Sequence, residues 1–95
     1  MIVAVLSMVL LIPGSRSLKE KRAVLKRVKD TMARELRVSV AEVGDHKDSW
    51  DAAELAVAVV SDDGGVASSL MEKVLDFTRR QKGLEIAHYD TRFVG

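Results

Sequence analysis

The chain contains no cysteine and very few aromatic or amide side chains. Its 95 residues include no Cys, no Asn, a single Gln and 4% aromatic residues. The absence of Cys excludes disulfides and thiolate chemistry and suits a reducing compartment, so we expect a cytoplasmic protein. Scarce thermolabile amides beside 31% charged residues are typical of heat-adapted proteins, which favours a thermophilic source.

A membrane-spanning run is also missing. The apolar run at 2–12 has eleven residues, whereas a spanning helix needs about 20. No basic segment precedes the run and no small-residue cleavage pattern follows it, so it is unlike a secretory signal. Its Val, Ile and Leu content predicts a buried strand. We expect one domain over residues 1–95, because a chain of this length folds around a single core.

Hydrophobic periodicity predicts four strands and two helices. In chain order they are a strand at 2–12, a helix at 18–36, strands at 38–43 and 53–61, a helix at 66–82 and a strand at 84–94. Ser17 and Glu20 have the spacing of a capping box at the start of the first helix. An Asp of the 62–65 turn is expected to cap the second helix, and Gly83 to end it.

This order predicts an α+β, ferredoxin-like fold, with both helices on one face of a four-stranded antiparallel sheet. The opposite face then has no helix to cover it. The first and third strands are nevertheless aliphatic on both sides, as the neighbours Val5 and Leu6 and the neighbours Val57 and Ala58 show. Exposed apolar faces usually mark interfaces, so we expect a homo-oligomer formed through this sheet face.

Basic residues are concentrated in one segment. Residues 16–37 hold nine bases and three acids, a net charge of +6, and residues 38–95 hold six bases and eleven acids, a net charge of −5. A basic segment of this kind attracts phosphate and other anions. The candidate nucleic-acid or anion-binding set is Arg16, Lys19, Lys21, Arg22, Lys26, Arg27, Lys29 and Arg34.

Two interpretations of these bases stay open. Free N–H groups at a helix start favour anions, and the bases around them would strengthen that preference. The plainer interpretation is a solvated helix face with local ion pairs. Lys21 is unusual, because at 100° per residue it projects into the apolar stripe between Leu25 and Val28. It either contacts an anion or snorkels past the first helical turn.

Base-specific RNA recognition is not expected. RNA-recognition domains of this topology stack bases on aromatic residues of the two central strands. The predicted strands at 2–12 and 53–61 contain no aromatic residue, and the chain has no G-x-x-G loop of the KH type. Any RNA contact should therefore involve backbone and shape.

Several segments resemble a known family. They are I-P-G-S-R-S-L-K-E-K-R at 12–22, V-S-V-A-E-V-G-D at 38–45, V-A-V-V-S at 57–61, and Trp50. Together they are similar to the YlxP-like family of small bacterial proteins of unknown function. The resemblance implies a ferredoxin-like fold and brings no catalytic residues. Such proteins are often encoded beside translation and ribosome-maturation factors, which implies work on RNA or the ribosome.

The remaining polar clusters predict ordinary structure. The loop at 44–51 matches no metal-binding spacing, although it carries Asp45, His46, Asp48 and Asp51. We expect no metal there, and we expect Trp50 to anchor over a sheet edge. His88 and Asp90 share a strand face without a Ser or Cys tied to them, so no hydrolytic triad is expected.

We therefore predict a non-enzymatic domain without a cofactor, which binds an RNA backbone, ribosomal RNA included, through its basic first helix. Two alternatives stay open. One is a small-ligand regulatory module of the ACT type, with a site near Pro13 and Gly14 at a subunit interface; this is an analogy of fold only. The other is a protein–protein adaptor that uses the open sheet face.

Overall fold

Strands and helices alternate along the chain in the predicted order. The computed structural model describes residues 1–94. Its elements are β1 (Ile2–Leu11), α1 (Leu18–Leu36), β2 (Ser39–Val43), β3 (Ala52–Ser61), α2 (Gly64–Arg79) and β4 (Glu85–Val94). Each lies within two or three residues of its predicted bounds.

The four strands form one antiparallel sheet in the order β2-β3-β1-β4. α1 packs against β2 and α2, while α2 packs against β1, β3 and β4. Both helices therefore cover the same face, and the predicted ferredoxin-like fold is confirmed. Neither helix within residues 1–94 combines the length and the apolar character that a membrane crossing requires.

The core lies between this sheet face and the two helices. Alternate residues of β1 and β3 point into it, because successive strand side chains point to opposite faces. The buried residues of the sheet include Ala4, Leu6, Met8, Leu10, Leu55 and Val57. The helices contribute Leu25, Val28, Met32, Met71, Val74 and Leu75.

Side-chain caps determine where both helices begin. The hydroxyl of Ser17 accepts a hydrogen bond from the Glu20 N–H at 3.1 Å. Glu20 in turn accepts from the N–H of Arg16, not from that of Ser17, so the capping box is displaced by one residue. Asp63 Oδ1 accepts from the N–H groups of Gly65 and Val66, at 2.7 and 3.1 Å. This bond pair lets α2 begin at Gly64, two residues before the predicted start.

The second face of the sheet is open. On β1 and β3 it carries half-buried aliphatic residues such as Val5, Val9 and Ala58. At the ends of the two strands, Leu11 is 41% and Val60 is 65% exposed. The open face of these two strands is therefore mainly aliphatic, although Ser7 and Glu54 also lie on it, and the structure shows no element of residues 1–94 lying across it.

Candidate functional site

Four bases of α1 lie along one line of the helix surface. Lys19, Arg22, Lys26 and Lys29 are spaced by three, four and three residues, which keeps them on one side of an α-helix. At a rise of about 1.5 Å per residue the line is about 15 Å long. Lys29 is half-buried and the other three are exposed. We call these four residues the basic stripe.

Three further bases flank the basic stripe without belonging to it. Arg16 precedes α1, and its N–H is bonded to Glu20. Arg27 projects toward the end of α2, where its guanidinium donates to the carbonyl of Lys82 at 2.9 Å. Arg34 lies near the C-terminus of α1, with its guanidinium 4.0 Å from the carboxylate of Glu35. These exposed arginines widen the positive surface on the side of the stripe away from the apolar residues of α1.

One acid interrupts the basic stripe. Asp30 Oδ2 lies 2.7 Å from Lys26 Nζ in an exposed i,i+4 pair. The hydrogen bond from Lys26 lowers the pKa of Asp30 below its ordinary 3.8, and the charges of Lys26, Lys29 and Arg34 lower it further, against the opposing effect of desolvation. The same hydrogen bond raises the pKa of Lys26 above 10.5. The surroundings of Asp30 are thus dominated by positive charge.

Lys21 is not part of this surface. Its side chain is 1% exposed, and its ammonium donates hydrogen bonds to the carbonyl oxygens of His46 at 2.7 Å and Lys47 at 3.2 Å. The ammonium therefore points inward, where it holds the loop between β2 and β3. The sequence-based expectation that Lys21 projects into the apolar stripe is correct, but it lies with the buried residues and not with the exposed bases.

A carboxylate accompanies the buried ammonium. Lys21 Nζ lies 3.1 Å from Glu42 Oε2 on β2. This oxygen is buried and makes no hydrogen bond of acceptable geometry, so we treat the contact as an ion pair only. The pair balances a charge that would otherwise be costly to bury. Glu42 is not predictable from the sequence, because a partner on another element has no fixed spacing from Lys21.

The backbone of the loop between β2 and β3 serves this contact. Its backbone carbonyls bind Lys21, and the Ser49 N–H donates to the His46 carbonyl at 3.0 Å. Within residues 1–94 no three His, Cys, Asp or Glu side chains are grouped as metal ligands. Trp50 is 56% exposed, more than the predicted anchoring role would leave.

The remaining candidates have local explanations. The Pro13–Gly14 segment is a turn closed by a hydrogen bond from the Ser15 N–H to the Ile12 carbonyl at 3.0 Å. His88 and Asp90 do share the open face of β4. Asp90 accepts a hydrogen bond from Arg92 Nε at 3.3 Å, so its carboxylate is held by a strand neighbour.

Comparison with known proteins agrees with the resemblance found in the sequence. Residues 3–91 match a family described as "Protein of unknown function (DUF503)". The chain belongs to this family. It is also 38% identical over 61 residues to the "Uncharacterized protein YlxP" of Bacillus subtilis (strain 168), across 64% of this chain and 65% of that relative. The predicted YlxP-like membership is therefore confirmed.

Solved structures support the fold. A de novo designed protein with ferredoxin fold, LFR1 1, is 18% identical, with a TM-score of 0.53 over 97% of this chain and 85% of the design. The designed protein Foldit4 is also 18% identical, with a TM-score of 0.55 over 100% of this chain and 98% of that one. The structural genomics protein YJCS is 11% identical, with a TM-score of 0.56 over 98% and 99%. At these identities the likeness concerns the fold alone.

Proposed function

We propose that the basic stripe of α1 binds the phosphate backbone of RNA. The observation that carries the proposal is the alignment of four bases along about 15 Å of one helix face, with the three most exposed of them facing solvent. Cations in such a row match the charge of consecutive phosphates, and their neutralisation releases counterions. Arg16, Arg27 and Arg34 extend the positive surface, whereas the buried Lys21 is left out of it.

The proposed contact is independent of base sequence. The open face of β1 and β3 carries Val, Ala and Leu with one Ser and one Glu, and no aromatic ring of the kind on which base-stacking domains rely. The two exposed aromatic residues of β4, Tyr89 and Phe93, lie opposite Met8 and Ala4 in the sheet register, on the helix-covered side. Affinity should therefore arise from phosphate contacts, and related RNAs of different sequence should bind alike.

Ribosomal RNA is the RNA we would test first. The YlxP-like resemblance implies proximity to translation and ribosome-maturation factors, and a sequence-independent backbone contact suits structured ribosomal RNA. The alternative of an ACT-like ligand module would instead give no RNA binding and a ligand-dependent rise in melting temperature.

The experiment is fluorescence anisotropy with two labelled RNAs of unrelated sequence, repeated between about 50 and 200 mM salt. About four phosphate contacts on a single strand predict a slope of log K against log salt near −3. The triple variant Lys19→Glu, Arg22→Glu and Lys26→Glu should weaken binding to both RNAs by at least about tenfold and flatten this slope.

A charge-matched control separates the stripe from a general charge effect. The triple variant Lys47→Glu, Lys73→Glu and Arg80→Glu changes the net charge equally, with three exposed bases outside α1. It should retain most of the affinity. Equal losses in both variants would contradict a site on α1, and a wild-type protein that binds neither RNA nor ribosomal particles at low salt would remove the proposal.

A protein-binding role for the open sheet face is the second candidate. Its support is the apolar character of β1 and β3 on that side, including the exposed Leu11 and Val60. Ala58 is half-buried at its centre and pairs with Val5. Ala58→Glu would place a charge in any contact made there, so loss of self-association in this variant would favour the open face as the oligomer interface.

A further inference from the structure

The outer side of β4 is an open edge of the sheet. β4 pairs with β1 on one side only, so the outward backbone N–H and C=O groups of a ten-residue strand have no strand partner. Long open edges are templates for pairing with another chain, and proteins usually protect them with Pro, Lys or short strands. β4 contains neither Pro nor Lys.

A bulge confines the regular part of this edge. The register between β1 and β4 shifts between Val9 and Leu10, where Ala87 is left without a partner. Beyond that point residues 88–94 pair continuously with β1. The regular edge therefore has seven residues, and its midpoint is Thr91. A bulge increases local twist, which discourages pairing of the residues before it.

Residues 88–94 of one copy have side chains complementary to those of the same segment in a second, antiparallel copy. In an antiparallel pair of two copies related by a two-fold axis at Thr91, Asp90 lies opposite Arg92 of the second copy, and Tyr89 lies opposite Phe93 of the second copy. Each pairing occurs twice because the interface is symmetric. Opposite charges and aromatic pairs are both favourable across antiparallel strands.

The exposure of the side chains fits this pairing. Tyr89 is 46% and Phe93 is 51% exposed, although both lie on the side of the sheet that the helices cover. Arg79 at the end of α2 lies over the Tyr89 ring, 5.9 Å from its centre, and a second copy would cover the part of both rings that remains exposed. Asp90 and Arg92 already lie 3.3 Å apart within one chain, so the pairing would join two such pairs into a cluster of four charges.

Other registers and the other edge are less favourable. A two-fold axis at Asp90 would place two carboxylates opposite each other, and an axis at Arg92 would place two guanidinium groups opposite each other; like charges directly opposite are destabilising. The edge strand β2 has only five residues, and its Glu42 is paired with the buried Lys21.

We propose that two copies of the chain pair through β4, antiparallel about Thr91, to form a continuous eight-stranded sheet. The two-fold axis is perpendicular to the sheet, so all four helices lie on one side and the α2 helices are nearest the axis. The partner is a second copy of this chain, and the contact is the sheet edge and not the open face.

The test is a charge exchange followed by sedimentation equilibrium over a wide concentration range. Arg92→Asp places a carboxylate opposite Asp90 of the second copy, and Asp90→Arg places a guanidinium opposite Arg92. Either single variant should weaken dimerisation by at least about tenfold, because both symmetric charge pairs become repulsive. The double variant restores opposite charges and should dimerise like the wild type.

Mixing the two single variants gives a second readout. Each should be mainly monomeric alone, whereas the mixture should form a heterodimer with two favourable charge pairs. Glu85→Arg is the matched control, since it lies on β4 before the bulge and is exposed, and it should leave the dimer unchanged. Ala58→Glu, on the open face, should also leave it unchanged.

Three results would overturn the proposal. They are a wild-type chain that stays monomeric at every concentration, a dimer that survives both single charge changes, and a mixture that does not associate. Far-UV circular dichroism and melting curves of each variant would show whether the chains are folded. A dimer lost in Ala58→Glu and retained in Arg92→Asp would assign self-association to the open face.

Discussion

α1 and α2 cover the same sheet face but differ in charge and in how they satisfy a buried polar residue. α1 carries seven bases and three acids, while α2 carries two of each. Each helix also holds one buried polar side chain, Lys21 in α1 and Thr78 in α2. Thr78 Oγ1 donates to the carbonyl of Val74 in its own helix at 2.7 Å, whereas Lys21 donates to the loop between β2 and β3.

The comparison distinguishes the features of α1 that packing requires from those that it does not. Packing requires an apolar stripe on each helix, and both helices have one. Packing does not require seven bases on α1, because five of the seven are exposed to solvent. The excess charge of α1 is therefore available for binding, while Lys21 is committed to structure.

Removing the buried ammonium should be the most destabilising change. Lys21→Met keeps most of the side-chain volume but leaves Glu42 and the two loop carbonyls without their cation, which should cost about 4 kcal/mol of unfolding free energy. Thr78→Val, its counterpart in α2, should cost only about 1 kcal/mol, because one local hydrogen bond is lost. Urea midpoints would show which of the two variants loses more stability. If Lys21→Met had no effect on stability, the loop would be held by other contacts.

Core truncation should affect both helices equally. Leu25 and Leu75 are each 2% exposed, and each change to Ala should cost about 3 kcal/mol, through lost burial and the cavity left behind. Val66→Ala serves as the control, because Val66 is 59% exposed, and its effect should stay within about 0.5 kcal/mol. Thermal and denaturant unfolding of the three variants would measure these losses. A markedly smaller loss of stability for one of the two Leu variants would show that its helix is weakly packed.

For the N-caps the larger loss of stability is expected in α2, whereas for the buried polar groups it is expected in α1. Ser17→Ala should cost about 1 kcal/mol, since one N–H group loses its acceptor. Asp63→Ala should cost at least as much, because Asp63 accepts from two N–H groups and its charge faces the positive end of α2. Chemical denaturation would rank them. A larger loss for Ser17 would contradict the cap geometry.

The smallest effect concerns the acid within the basic stripe. Lys26→Gln should raise the pKa of Asp30 toward 3.8, because the hydrogen bond that lowers it most is lost. A lowered carboxyl pKa stabilises the folded state above the unfolded pKa, and this contribution disappears as the pH falls through the folded pKa. Any stability difference between wild type and variant should therefore vanish in acid. An NMR titration of Asp30 measures the shift directly, and an unchanged pKa in the variant would refute the pairing.

The sequence was a good guide to elements and a poor guide to long-range partners. The Ser17 cap, the apolar stripe of α1 and the order of strands are local patterns, and each is present in the structure. The start of α2 at Gly64 was missed, because the side chain of Asp63 supports two glycine positions that have low helix propensity.

The candidate site was predicted in part. Seven of its eight bases lie on or beside the exposed side of the first helix, as periodicity suggested, and Lys21 lies inside. The position of Lys21 within the apolar stripe was a usable signal of burial. Its partners were not predictable, because Glu42 and the carbonyls of His46 and Lys47 belong to other elements.

The sequence by itself determined which residues form strands and helices, which sides of them are apolar and where positive charge accumulates, because these properties depend on spacing along the chain. Only the tertiary structure decided that the Lys21 ammonium donates to a loop carbonyl inside the protein and that the regular edge of β4 is centred on Thr91. Both depend on which elements become neighbours and in what register, and these relations arise from packing across the whole sheet.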